Sequence, residues 1–144
     1  MRLIETLKIG CGEMSTEIEM ILRLLLATAL GAIVGYQRER ANKPAGLRTH
    51  TLICVGAALF TVASIYGFGG ADPARIAAGI VTGIGFLGAG AIIRTREHLV
   101  GLTTAATIWS VAAIGLAAGA GLYIISAVTT AVILIILLLP HPIQ

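Results

Sequence analysis

The chain has 144 residues and a formal net charge of +3; 57% of its residues are hydrophobic and 12% charged, and the mean hydropathy is +0.95. A water-soluble domain carries about twice that charged fraction, so a soluble catalytic core and a basic nucleic-acid surface are both excluded as organising principles. The cations sit between apolar runs, where membrane topology accounts for them.

Residues 1–17 form a mixed polar tail, without the unbroken apolar stretch and cleavage site of a secretory signal. Five apolar runs follow, each close to the roughly 20 residues that a helix needs to cross a ~30 Å hydrocarbon core. They are continuous rather than alternating, which favours helices over a membrane barrel. Helices are predicted over 18–36, 49–67, 74–93, 101–118 and 122–139. The Gly119-Ala120-Gly121 turn folds the last two into a tight hairpin, and residues 140–144 remain as a short tail. The predicted class is all-α, a polytopic membrane protein with a bundle of five transmembrane helices over 18–139.

A weak internal repeat runs through the first four helices. Leu30-Gly31-Ala32 followed by Gly46-Leu47-Arg48-Thr49 resembles Leu87-Gly88-Ala89 followed by Gly101-Leu102-Thr103-Thr104. Two helix pairs related about an axis along the membrane normal, plus one helix, are expected. Arg38, Arg40, Lys43 and Arg48 follow the first helix and Arg94 and Arg96 the third, so these loops face the cytoplasm by the positive-inside rule. The amino terminus then lies outside and the carboxyl terminus inside.

Arg23 is the one cation within a span, with Glu19 one turn earlier. An intramembrane charge is by default a functional candidate, and snorkelling to the outer interface with Glu19 alongside accounts for it equally well. Asp72 precedes Pro73 at the head of the third helix, where Asp caps free amides and Pro suits the first position. Asp72 and Arg75 are read as an outer polar pair. Small residues at four-residue spacing allow helix backbones to approach closely in lipid. Gly31 and Gly35, Gly79 and Gly83, and Gly115 and Gly119 have that spacing, and Gly85, Gly88 and Gly90 add to the third helix.

The sharpest local segment is the loop after the first helix, with Arg38, Glu39, Lys43, Arg48, Thr49 and His50 as a cytoplasmic contact surface. Thr103, Thr104 and Thr107 place hydroxyls at the head of the fourth helix, either on their own backbone or bridging helices two and four. The segments KPAGLRTH at 43–50, GIGFLGAGAIIR at 83–94 and GLTTAATIW at 101–109 resemble the signature blocks of the MgtC/SapB family. The resemblance covers essentially residues 20–125. It implies a bacterial inner-membrane protein of four or five spans, linked to growth in low magnesium and survival inside phagocytes. It also implies a regulator more than a transporter, of a kind that acts on the membrane-embedded F-type ATP synthase. Three departures stand out: many members continue into a further cytoplasmic domain, whereas this chain stops at Gln144; Gln37 replaces an acidic residue; and Gly79 replaces a polar amide. The expectation is therefore a short form without functions housed in that domain.

Magnesium favours carboxylate oxygens with retained waters, and the predicted spans hold no Asp or Glu at mid-depth. No HExxH, GxSxG or paired-Asp motif occurs, and His50, His98 and His141 lie far apart. The chain is expected not to be an enzyme and to hold no cofactor or resident metal. Its expected partners are membrane lipid and either further copies or a larger membrane complex, not nucleic acid. A small ion channel or carrier is the alternative.

Overall fold

The computed structural model describes residues 2–68, 72–94 and 99–139, with side chains over 16–68, 74–92 and 100–139 and at Asp72. Five helices make up the fold: α1 (Arg2–Arg40), α2 (Leu47–Tyr66), α3 (Pro73–Gly90), α4 (Leu102–Gly119) and α5 (Tyr123–Leu138). Two-residue strands β1 (Ile93–Arg94) and β2 (Leu99–Val100) pair antiparallel between α3 and α4, with Ile93 opposite Val100 and Arg94 opposite Leu99. The expected tail 140–144 and the loop residues Arg96 and His98 lie outside the described residues. The bundle is all-α, as its apolar runs require.

The helix ends are set by local chemistry. α1 begins at Arg2 rather than residue 18, because no proline interrupts residues 2–17. It continues four residues past Tyr36 and stops in a Schellman motif. Asn42 takes a left-handed φ of 51°, Lys43 N–H bonds Arg38 C=O at 3.1 Å, and Asn42 N–H bonds Glu39 C=O at 3.0 Å. The α4–α5 hairpin uses the same device. Gly121 has φ 82°, Leu122 N–H bonds Ala117 C=O at 2.9 Å, and Gly121 N–H bonds Ala118 C=O at 3.1 Å. At α3, Asp72 accepts from Ala74 N–H at 2.9 Å with Pro73 in the first turn, as its sequence position demands. α3 ends at Gly90 rather than residue 93, since Ile93 and Arg94 leave the helix to pair with β2.

Three helices, Thr16–Arg40 within α1, α2 and α4, are long and apolar enough to cross a membrane. The apolar segments Ala74–Gly90 of α3 and Tyr123–Leu138 of α5 are shorter, at or just below the low end of the ~17–25 residues that cross a bilayer as helix, a mismatch that bilayer thinning accommodates. The core lies among α1, α2 and α4, where Ala27, Leu30, Val34, Cys54, Ala58, Val111, Ile114 and Ala118 pack together. A smaller cluster of Ala57, Ile84, Ile108 and Ala112 ties α3 to α2 and α4. Outward faces are strongly apolar: Phe86 is 82% exposed and Ile124 78%. That surface suits hydrocarbon and would be untenable in water.

Candidate functional site

Glycines decide which helices touch. A Cβ at Gly31 would lie 2.6 Å from Cys54 Cβ, and one at Gly35 2.7 Å from Leu47 Cα. From α4, a Cβ at Gly115 would collide with the Cys54 carbonyl, and one at Gly119 would lie 2.6 Å from the Ala58 carbonyl oxygen. Backbones of α1 and α4 thus both press on α2, the close approach that small residues permit in lipid. Gly88 meets Ala105 at an ordinary 3.8 Å. Gly79, Gly83, Gly85 and Gly90 have nothing within 4 Å of the added carbon. The expectation that they pack the third helix tightly is corrected: within one chain they face open space.

Equivalent halves of the internal repeat use the same contact. Gly31 approaches the His50 backbone in the first turn of α2, and Gly88 approaches Ala105 in the first turn of α4. Gly46 and Gly101 occupy the matching N-cap positions.

At the end of the bundle where α1 finishes and α2 and α4 begin, polar groups are buried together. Arg38, 4% exposed, donates from Nη2 to Thr104 Oγ1 at 2.7 Å. His50 is fully buried, with Nδ1 3.0 Å from Gly46 C=O and Nε2 3.2 Å from Thr107 Oγ1. A carbonyl only accepts, so Nδ1 carries the hydrogen. Nε2 of that tautomer accepts, so the single Thr107 O–H hydrogen is shared between Nε2 and the Thr104 C=O 2.9 Å away. Glu39 turns back over the loop and accepts from Leu47 N–H at 2.8 Å. A carboxylate there satisfies a free amide and complements the positive end of the α2 dipole, since Gly46 has no side chain to do so.

The opposite end is bolted by Arg23, 7% exposed. It donates to Gly119 C=O at 2.8 Å, where α4 ends, and to Glu19 at 2.6 Å; Tyr123 O–H donates to the same carboxylate at 3.0 Å. Its guanidinium lies 5.4 Å from the Tyr66 ring centroid. The Glu19 partner expected from the sequence is present, and Arg23 also staples four helices, α1, α2, α4 and α5.

The sequence-selected contact residues separate into two groups. Glu39, Lys43, Arg48 and Thr49 are exposed around the loop. Arg38 and His50 are not surface residues: they face inward as inter-helix bonds to α4. That corrects their expected role, and its cause is the extra turn of α1, which carries Arg38 under the head of α4. The bridge between helices two and four holds for Thr107, which also bonds its own helix backbone, whereas Thr104 joins α1 instead. Asp72 and Arg75 are both exposed, and no ion pair joins them among the described residues. Tyr66 and Tyr123 carried no sequence signal, because their partners lie 43 and 104 positions away.

Among the described residues, no group of three or more His, Cys, Asp or Glu comes together. Arg23, Arg38, His50, Thr104 and Thr107 instead join helix to helix.

A profile of the MgtC family matches residues 24–144. Over 113 residues, 73% of this chain and 53% of the relative, the sequence is 50% identical to YhiD of Escherichia coli strain K12, a candidate magnesium transporter by name. Protein MgtC of Brucella abortus strain 2308 is 47% identical over 81% of this chain and 49% of its own length. Protein SapB of Bacillus subtilis strain 168 is 43% identical over 73% and 49%. The chain therefore spans about half the length of the curated relatives it matches. No solved structure matches it significantly. On the family profile and these relatives, carried by a bundle of apolar helices, this multi-pass membrane protein belongs to the MgtC family.

Proposed function

We propose that the protein is a non-enzymatic regulator of the bacterial inner membrane, acting by lateral contact with another membrane complex. The single observation that carries this reading is the use made of five buried polar side chains in the α1–α2–α4 core. Arg23, Arg38, His50, Thr104 and Thr107 bond neighbouring helices or backbone carbonyls, and tight glycine contacts close the space between them. Contact surface is abundant instead. α3 presents Gly85, Phe86 and Gly90 outward, and Glu39, Lys43, Arg48 and Thr49 surround the adjoining loop.

The amino terminus faces the periplasm, and the 41–46 loop and the carboxyl terminus face the cytoplasm, in keeping with the Lys/Arg bias. The family resemblance directs attention to the F-type ATP synthase and to survival under magnesium limitation. Inverted membrane vesicles with and without the chain test this. The expected result is lowered proton-driven ATP synthesis in its presence, relieved by Arg48→Ala at equal membrane abundance. Unchanged synthesis at full abundance contradicts it.

The second reading is magnesium transport, favoured by the name of the Escherichia coli relative. Against it stands the absence of Asp and Glu at mid-depth in the spans, since magnesium sites rely on one or two carboxylates.

A further inference from the structure

Between α2 and α3 the bundle opens into a groove of about 650 Å³, whose floor includes Ala57, Ile84 and Ala112. Gly56 on one wall and Gly79 and Gly83 on the other leave it unfilled, and Phe60 and Leu87 add apolar lining. Its one charged lining residue is Arg75, exposed in the first turn of α3 and without an ion pair among the described residues. The twelve-residue rise from Arg75 to Leu87 is ~18 Å. Apolar lining along that whole length suits hydrocarbon.

We infer that this groove is a binding site for an anionic phospholipid, with acyl chain between α2 and α3 and phosphate against Arg75. The apolar lining suits hydrocarbon, and the lone guanidinium at the end where α3 begins selects a negatively charged headgroup. Arginine pairs with phosphate through charge-assisted, often bidentate, hydrogen bonds. Glycine at 56, 79 and 83 then serves to keep a channel open, the opposite of its use at 31 and 115.

The test uses the full chain in mild detergent, with phosphatidylglycerol and phosphatidylcholine of identical acyl chains, read by native mass spectrometry. Retention of phosphatidylglycerol should exceed that of phosphatidylcholine about fivefold, the preference expected from one cation near a headgroup. Arg75→Gln should level the two, Arg75→Lys should keep most of the preference, and Arg48→Gln, outside the groove, should leave it intact. Gly79→Leu, which fills the groove, should reduce retention of both lipids. Helicity and elution volume confirm folding; if Gly79→Leu fails there, the Arg75 and Arg48 variants decide alone. Equal retention by the unaltered protein, an unchanged preference in Arg75→Gln, or an equal loss in Arg48→Gln overturns the inference. So does a protein dimer that Gly79→Leu abolishes without touching lipid retention, which would give the groove to a second copy.

Discussion

The α1–α2–α4 core and the α3 flank are both rich in glycine, yet they use it oppositely. In the core, Gly31, Gly35, Gly115 and Gly119 stand where any Cβ would strike a neighbouring helix. On α3, Gly79, Gly83, Gly85 and Gly90 meet nothing. A four-residue glycine spacing therefore marks closeness only when a partner backbone is present, and marks an opening when it is absent. The core is also the part bolted at both ends by buried side chains, whereas α3 is held by a small apolar cluster and a capping Asp.

Substitutions that add bulk should separate the two regions most sharply. Gly115→Leu forces α4 away from Cys54 and is expected to cost more than the 1–3 kcal/mol of ordinary overpacking, seen as loss of the protein from membranes. Gly85→Leu on the open flank should leave abundance and melting temperature near those of the unaltered protein. Next in size is the Arg38 bolt. Thr104→Val removes the hydroxyl that accepts from buried Arg38, and should lower unfolding free energy by about 1.5–3 kcal/mol, measurable by denaturant titration in detergent micelles. Tyr123→Phe at the opposite end of the bundle deletes a bond to an exposed carboxylate and should cost about 0.5–1.5 kcal/mol by the same titration. Arg48→Ala, on the exposed loop, should stay within about 0.5 kcal/mol while removing regulatory activity. A large stability loss there would reassign Arg48 to the fold.

Much of the architecture was legible in the sequence because it rests on one-dimensional signals. Apolar run length gave the helices, Asp72-Pro73 the start of α3, and Gly119-Ala120-Gly121 the hairpin. The positions of Gly31, Gly35, Gly115 and Gly119 announced close packing correctly. The same rule misled at Gly79 and Gly83, since spacing on one helix carries no information about whether another lies opposite. Arg38 and His50 were misplaced for a related reason. Polar residues in a basic loop read as surface, but the Asn42 Schellman turn extends α1 and carries Arg38 beneath Thr104. The Arg23 staple was only half visible: Glu19 and Arg23 are four apart on one helix, while Gly119, Tyr123 and Tyr66 join them only through folding. The groove between α2 and α3 was invisible, being a space between segments rather than a property of either.

The claim that polar groups inside this bundle tie helices together rather than conduct an ion meets its most direct check in magnesium flux. Purified full chain in liposomes loaded with a magnesium-sensitive dye should admit the ion no faster than protein-free liposomes, with an ionophore control showing that the dye responds. Rapid uptake that scales with protein content, and that Thr104→Val or Gly83→Leu alters, would contradict it.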